Sequence, residues 1–249
     1  MTPKTSQEIQ TMRTGGKILA EGLALMQEKC SPGVTTADLD AYVREFFDKK
    51  QVKPAFLGYY GFPGAVCTSV NSAVIHGIPS QDTVIQEGDI VSLDCGLILD
   101  GLCLDSARTF GVGEITEEHR LLIERTKKSF FKGVSAIKHG ATTGDFGSKV
   151  ERYLEQFPYG IVRDFAGHGI GQTVHEEPNI PNYGRAGTGT RLVEGMTIAC
   201  EPMVTLGSED VYVDPEDDWT VYTEDHSIAA HYEHTLVVTK KGVEILTEL

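Results

Sequence analysis

A seven-residue phrase occurs twice in this chain, and it constrains the fold more than any other feature. Gly33-Val34-Thr35-Thr36-Ala37-Asp38-Leu39 resembles Gly140-Ala141-Thr142-Thr143-Gly144-Asp145-Phe146. A helical pattern follows each copy. Leu39, Tyr42, Val43, Phe46 and Phe47 recur at helical spacing after the first, and Val150, Tyr153, Leu154 and Phe157 after the second. Each Thr-Thr pair offers an N-cap hydroxyl, and each Asp adds negative charge to the first turn, where the helix dipole favours it. Upstream of each copy lies another helical stretch, 6–29 and 117–138, ending near Gly33 and Gly140 as helices often do. β-rich segments follow. The order is helix, helix, strands, twice over. Two copies are too few for a solenoid. They suit a duplicated α+β unit with a pseudo-two-fold axis, a central antiparallel sheet and helices backing it; chance likeness over such short segments is the other reading. The halves would span about 1–110 and 111–249, and no linker divides them, so a single domain, 1–249, is expected.

Composition narrows the function classes. A chain of 249 residues, 40% of them hydrophobic, can bury a core without staples. Twenty-two Lys+Arg against 36 Asp+Glu give a formal charge of −14, which argues against a DNA or RNA binder and against docking on an anionic membrane. No apolar run approaches the roughly 18 residues of a spanning helix, and residues 1–8 lack the apolar core of a signal peptide. The five cysteines are odd in number and form no C-x-x-C pair, so a reducing compartment, the cytoplasm, is expected, with each Cys a small buried hydrophobe.

The segment from Ile90 to Leu99 reads as a strand, Asp100-Gly101 is a two-residue hairpin signal, and 102–110 reads as the return strand. In such a hairpin Leu99 faces Leu102, Gly96 faces Asp105, and Asp94 faces Ala107. Asp94 and Asp105 then share a face as diagonal neighbours, roughly 7–8 Å apart at the backbone. Both sit among apolar residues, where unpaired carboxylates resist ionisation. A metal or an arginine would answer them, or the face is simply solvated; Arg108 has the wrong parity.

Further on, Gly167-His168-Gly169-Ile170-Gly171 and His175-Glu176-Glu177-Pro178 place two histidines in a glycine-rich, non-helical segment. Glu201 then interrupts the apolar run 196–204, and Glu233 interrupts 232–238. Glutamate is almost never fully buried without a partner.

In order, Asp94, Asp105, His168 in G-H-G-I-G, Glu201 in E-P-M-V and Glu233 in Y-E-H-T resemble the metal site of the methionine aminopeptidases, which have the pita-bread fold. His76 in V-I-H-G-I-P and His175 in H-E-E-P match further motif positions. The likeness runs from the N-terminal helix to a last strand at 243–247. The 33 positions from His168 to Glu201 leave no room for the helical insertion of type II enzymes, so the resemblance is to the short type I form; the extra N-terminal domain of prolidase-like relatives is not expected.

The resemblance implies two divalent ions, Co, Mn, Fe or Zn, which carboxylate and imidazole donors suit. Asp105, His168, Glu201 and Glu233 would hold one, and Asp94 the other, with Asp105 and Glu233 bridging. It implies hydrolysis of the first peptide bond by a water shared between the ions, with Glu201 as proton shuttle, His175 on the scissile carbonyl and His76 near the scissile nitrogen. Tyr59, Phe62, Cys67, His76 and Trp219 would line the methionine slot, with His175 also touching substrate. The implied substrates are N-termini of nascent polypeptides whose second residue is small, a rule that this chain's own Thr2 meets. A monomer is expected, without DNA or membrane partners. Contact with the ribosome stays open, because the acidic stretch 209–218 would repel RNA there. Three positions depart from the family's habit: His231 stands where Gln is common, Ser92 where Asn is frequent, and Cys103-Leu104 where residues are smaller or more polar. Such changes tune metal affinity and rate.

Overall fold

The computed structural model describes residues 2–249. Helices α1 (Ser6–Lys29) and α2 (Thr36–Lys50) open the chain. The first repeat phrase starts α2 through reciprocal capping. Thr35 Oγ1 accepts from the Asp38 N–H at 3.1 Å, and the Asp38 carboxylate accepts from the Thr35 N–H at 2.9 Å. Strands β1 (Lys53–Pro54), β2 (Val66–Val70), β3 (Ala73–Ile75), β4 (Ile90–Leu99) and β5 (Leu102–Gly111) follow. Helices α3 (Glu117–Val134) and α4 (Thr143–Leu154) come next, and the Asp145 carboxylate again accepts from the capping N–H, that of Thr142, at 2.7 Å.

Two ends differ from expectation. Helix α3 stops at Val134 because the N–H groups of Ala136 and Ile137 turn to the carbonyls of Gly133 and Val134, a tighter pattern that carries Ile137 into the core. Phe157 lies beyond α4, packed on Tyr153 and Tyr159 rather than extending the helical stripe.

The second half continues with β6 (Gly160–Ile161), β7 (Gly167–Gly169), β8 (Glu176–Ile180), β9 (Thr197–Cys200), β10 (Met203–Thr205), β11 (Val211–Val213), β12 (Val221–Thr223), β13 (Ala229–His231), β14 (His234–Val238) and β15 (Val243–Ile245). The last strand is shorter than 243–247. All pairings are antiparallel. One sheet orders β1-β4-β2 with β5 on the hairpin side of β4; a five-stranded sheet orders β15-β14-β9-β7-β8; two smaller sheets order β13-β10-β6 and β11-β12-β3. Helices α1 and α2 bury Leu19, Leu23 and Phe47 against Leu93 and Leu97 of β4. Helices α3 and α4 bury Phe130, Phe146 and Val150 against Ile198 and Leu236. No helix among the described residues is long and apolar enough to cross a membrane.

The hairpin meets the five-stranded sheet along β5. The Asp105 N–H donates to Thr235 Oγ1 at 2.9 Å, and that hydroxyl donates back to the Asp105 carbonyl at 2.8 Å. Thr235 is fully buried. Thr235→Val keeps the shape and strands both backbone groups, each costing about 1–3 kcal/mol. Thermal unfolding should therefore begin about 5–10 °C lower.

Candidate metal centre

The hairpin parity holds. Asp100 and Gly101 both have positive φ, 50° and 77°, as a two-residue type I′ turn requires. Leu99 pairs with Leu102, Gly96 with Asp105 and Asp94 with Ala107. Asp94 and Asp105 therefore project from one face, and both are buried. Arg108 pairs with Leu93 on the opposite parity and lines a separate cavity with Tyr232 and His234, so it does not answer the two aspartates.

Glu201 and Glu233 occupy breaks between strands. Strand β9 lies in the five-stranded sheet and β10 in a three-stranded one; β13 lies beside β10 and β14 beside β9. Each run thus changes sheet at its glutamate, and the Tyr232 N–H donates to the Pro202 carbonyl at 3.2 Å across the two breaks. Glu233 is locked to the hairpin as well: its N–H donates to the Ala107 carbonyl at 2.9 Å. His168 sits at the centre of β7, paired with Ala199 of β9. A Cβ at Gly167 would run into the Ala199 carbonyl, so glycine there permits the close strand approach. His168 Nδ1 lies 2.9 Å from the Gly169 carbonyl and donates to it, which leaves Nε2 facing Glu201 Oε1 at 3.5 Å.

Four carboxylates, two from the hairpin and two from the breaks between strands, thus converge with His168. Burial is the first cause of every shift among them. It raises Asp94 to about 6 and Glu201 to about 8, and holds Asp105 and Glu233 well above the carboxylate range, the charges of their neighbours adding to it. Among the described residues no Lys or Arg pairs with any of the four. Asp94 Oδ1, Asp105 Oδ1 and Glu233 Oε1 are buried without a hydrogen-bond partner. Donor atoms of Asp105, His168 and Glu233 lie within 4.8 Å of one another, as do those of Glu201, His231 and Glu233. Buried orphan acceptors of this kind fit divalent cations, whose charge reverses the cost of ionising them.

The metal-ligand, catalytic and substrate-slot residues expected from the resemblance all line one cavity of about 160 Å³. Asp94, Asp105, His168, Glu201 and Glu233 form its buried end. Phe62 and Trp219 meet edge to face at 5.1 Å, His76 lies 6.2 Å from Trp219, and Cys67 pairs with Asp94 across β2 and β4. His175 Nδ1 is 3.0 Å from the Tyr59 hydroxyl, and its ring lies 4.3 Å from that of His168. His76 has φ 59°, unusual for a non-glycine residue. The next residue explains how it is held: the Gly77 N–H donates to Ser69 Oγ, its carbonyl accepts from Thr68, and a Cβ there would strike the Thr68 carbonyl.

The profile of Metallopeptidase family M24 matches residues 10–240. The methionine aminopeptidase of Clostridium acetobutylicum is 51% identical over 98% of this chain and 97% of its own length. The chain belongs to the methionine aminopeptidases of this family. The crystal structure of methionine aminopeptidase from Thermotoga maritima superimposes with a TM-score of 0.97 at 43% identity, covering 100% of both chains. The prolidase from Pyrococcus horikoshii OT3 shares the pita-bread fold at a TM-score of 0.80 and 25% identity, over 99% of this chain and 63% of that one. The duplicated α+β reading of the sequence thus describes the fold of the methionine aminopeptidases and of this chain.

Within that family frame, the sequence alone did not single out Phe56 and Tyr60, which also line the cavity, because no motif surrounds them. His231 is noted above only as a departure, yet its Nε2 lies 3.5 Å from Glu201 Oε2 and 3.9 Å from Glu233 Oε2. Cys103 lies near the Gln172 carbonyl and Leu104 is packed in the core, so neither reaches the acids. The acidic stretch also has local work. Asp217 accepts from the N–H groups of Trp219 and Thr220, fixing the turn that presents Trp219, while Glu209 pairs with Arg163 at 3.1 Å.

Proposed function

We propose that this chain hydrolyses the first peptide bond of polypeptides that begin with methionine and carry a small second residue. The carrying observation is the convergence of four buried carboxylates and His168, with orphaned oxygens, at the end of an aromatic cavity in a member of the methionine aminopeptidases. Asp105, His168, Glu201 and Glu233 would hold one divalent cation, and Asp94 would hold the second together with Asp105 and Glu233. Four carboxylates balance two divalent charges, and Co, Mn, Fe and Zn all accept this donor set. Such a pair of cations would supply Lewis acidity and an activated water for attack on the scissile carbonyl.

The chain's own residues do the rest. Glu201 takes a proton and passes it to the leaving amine. His175, with Nδ1 engaged by Tyr59, keeps its other ring nitrogen for the scissile carbonyl. His76 is neutral, since burial lowers it to about 4, and contacts the scissile nitrogen. Tyr59, Phe62, Cys67, His76 and Trp219 form the methionine slot, where aromatic–sulfur contacts contribute roughly 0.3–1.5 kcal/mol each. We read 1–249 as one catalytic domain with halves at about 1–110 and 111–249, acting as a monomer in the cytoplasm on nascent N-termini, without DNA or membrane partners.

The test is turnover of Met-Ala-Ser by protein stripped with a chelator. Release of methionine should be absent until Mn or Co is restored, and a peptide library varied at its first residue should be cut at methionine. Full activity in excess chelator, or preference for another first residue, would refute the reading.

A further inference from the structure

We propose that His231 is an added metal ligand of this chain, its Nε2 joining the cation that Asp94 would hold. The inference rests on the dimetal reading above and goes beyond the ligand set that the family resemblance implies.

The ring is 1% exposed, and neither Nδ1 nor Nε2 has a hydrogen-bond partner. Leaving a buried polar group unmatched costs about 1–3 kcal/mol, so an imidazole without any partner is waiting for one. The two carboxylates it faces are too far for good hydrogen bonds, at 3.5 Å to Glu201 Oε2 and 3.9 Å to Glu233 Oε2. The 3.9 Å spacing to Glu233, the carboxylate that the dimetal reading gives to both ions, is one that shared coordination of the Asp94 cation allows. Donors each about 2.1 Å from one ion stand roughly 3–4 Å apart. The Glu201 carboxylate is approached from both ends, by His168 at Oε1 and by His231 at Oε2. Strand β13, which carries His231, packs against β4, which carries Asp94. The two imidazoles approach different oxygens of Glu201, His231 doing so from the strand packed beside that of Asp94.

The backbone of His231 is clamped while its ring is left unbonded. Its N–H donates to Thr109 Oγ1 at 2.8 Å, and its carbonyl accepts from the same hydroxyl at 2.7 Å. Ser92 Oγ donates to Thr109 Oγ1 at 2.7 Å. Two of the departures noted in the sequence, Ser92 and His231, are thus joined in one chain of hydrogen bonds that fixes the His231 backbone. Ser92 is a positioning residue here and reaches no acid of the cluster.

The consequence is chemical. Asp94, Asp105 and Glu233 alone offer only oxygen, a donor set suited to hard ions such as Mn. An imidazole nitrogen shifts preference towards Co, Zn or Fe. Glutamine, common at this position in the family, offers only an amide oxygen.

Cobalt titrated into metal-free wild-type protein and His231→Gln decides the matter by calorimetry and proton NMR. With two cobalt ions bound, the wild type should show two exchangeable, strongly shifted imidazole N–H signals, one lost in His231→Gln and the other in His168→Gln. The second cobalt should bind at least about 10-fold more weakly to His231→Gln, while the affinity for manganese changes by less than about 3-fold. A wild type with two bound cobalts and a single shifted signal overturns the assignment even if the variant fails to fold. So does unchanged second-site cobalt affinity in a folded variant. A wild type that binds fewer than two cobalts refutes the dimetal reading itself, and this inference with it.

Discussion

Glu201→Ala should cut kcat for release of methionine from Met-Ala-Ser by about 10³-fold or more, roughly 4 kcal/mol of lost transition-state stabilisation. The size follows from two roles meeting on one side chain. Its carboxylate faces both His168 and His231, where the proposed metal site would lie. Burial also holds its proton affinity high, at about 8 in the absence of cations, which makes it an acid–base group rather than a fixed charge. Cation binding pulls that value down towards the working range, where a shuttle is effective. Glu201→Gln separates the roles. It keeps an oxygen donor and loses the exchangeable proton, so it should retain most bound metal and still lose the larger part of the rate. Undiminished turnover in Glu201→Ala would refute the assignment of the site; inactive Glu201→Gln with full metal content would isolate the proton shuttle.

What the sequence made legible depended on how local the rule was. The Asp100-Gly101 turn sets the hairpin register through two residues, and a period of two then places Asp94 and Asp105 on one face; the observed pairing follows that arithmetic residue for residue. The Thr-Thr-x-Asp phrase started both helices for the same reason, since capping acts over three residues. Glu201 and Glu233 were visible as acids inside apolar runs. That each marks a change of sheet was not, because the break is defined by partners from distant segments: β9 pairs with β14, and β10 with β13. His231 shows the limit most clearly. Nothing in Ala230-His231-Tyr232 distinguishes a packed core histidine from a ligand; its meaning comes from Thr109, Glu201 and Glu233 meeting around it. Charge counting over 209–218 likewise registers the acids but cannot show that Asp217 caps the turn carrying Trp219. Motif recognition points to the family, while tertiary contacts decide which side chains meet.

Without divalent cations the protein should lose stability steeply between about pH 6.5 and 8.5, and cations should restore it. In the metal-free fold Asp94 is raised to about 6 and Glu201 to about 8, and Asp105 and Glu233 are held well above the carboxylate range. A group whose folded value is raised contributes stability that is fully present below its unfolded value, near 4, and lost as pH rises through the folded value. The buried imidazoles act in the opposite sense. Burial lowers His76 to about 4 and His168 to about 3, so their contribution is present above about 6.5 and lost as pH falls. The two effects offset each other between about pH 4 and 6.5. Above that range only the acids titrate, and the metal-free melting temperature should fall by on the order of 10 °C. Saturation of two sites at about a thousand times Kd adds roughly 4 kcal/mol per site, so manganese should raise the melting temperature by about 10 °C or more at pH 8 and much less at pH 5, where protons compete for the same oxygens. Glu233→Gln replaces one buried acid with a neutral isostere. It should stabilise the metal-free protein at pH 8 and erase most of the gain from manganese. Scanning calorimetry at pH 5, 6.5 and 8, with and without chelator, checks all three statements; a metal-free melting temperature that rises across the upper window would show that these carboxylates do not repel one another in the folded chain.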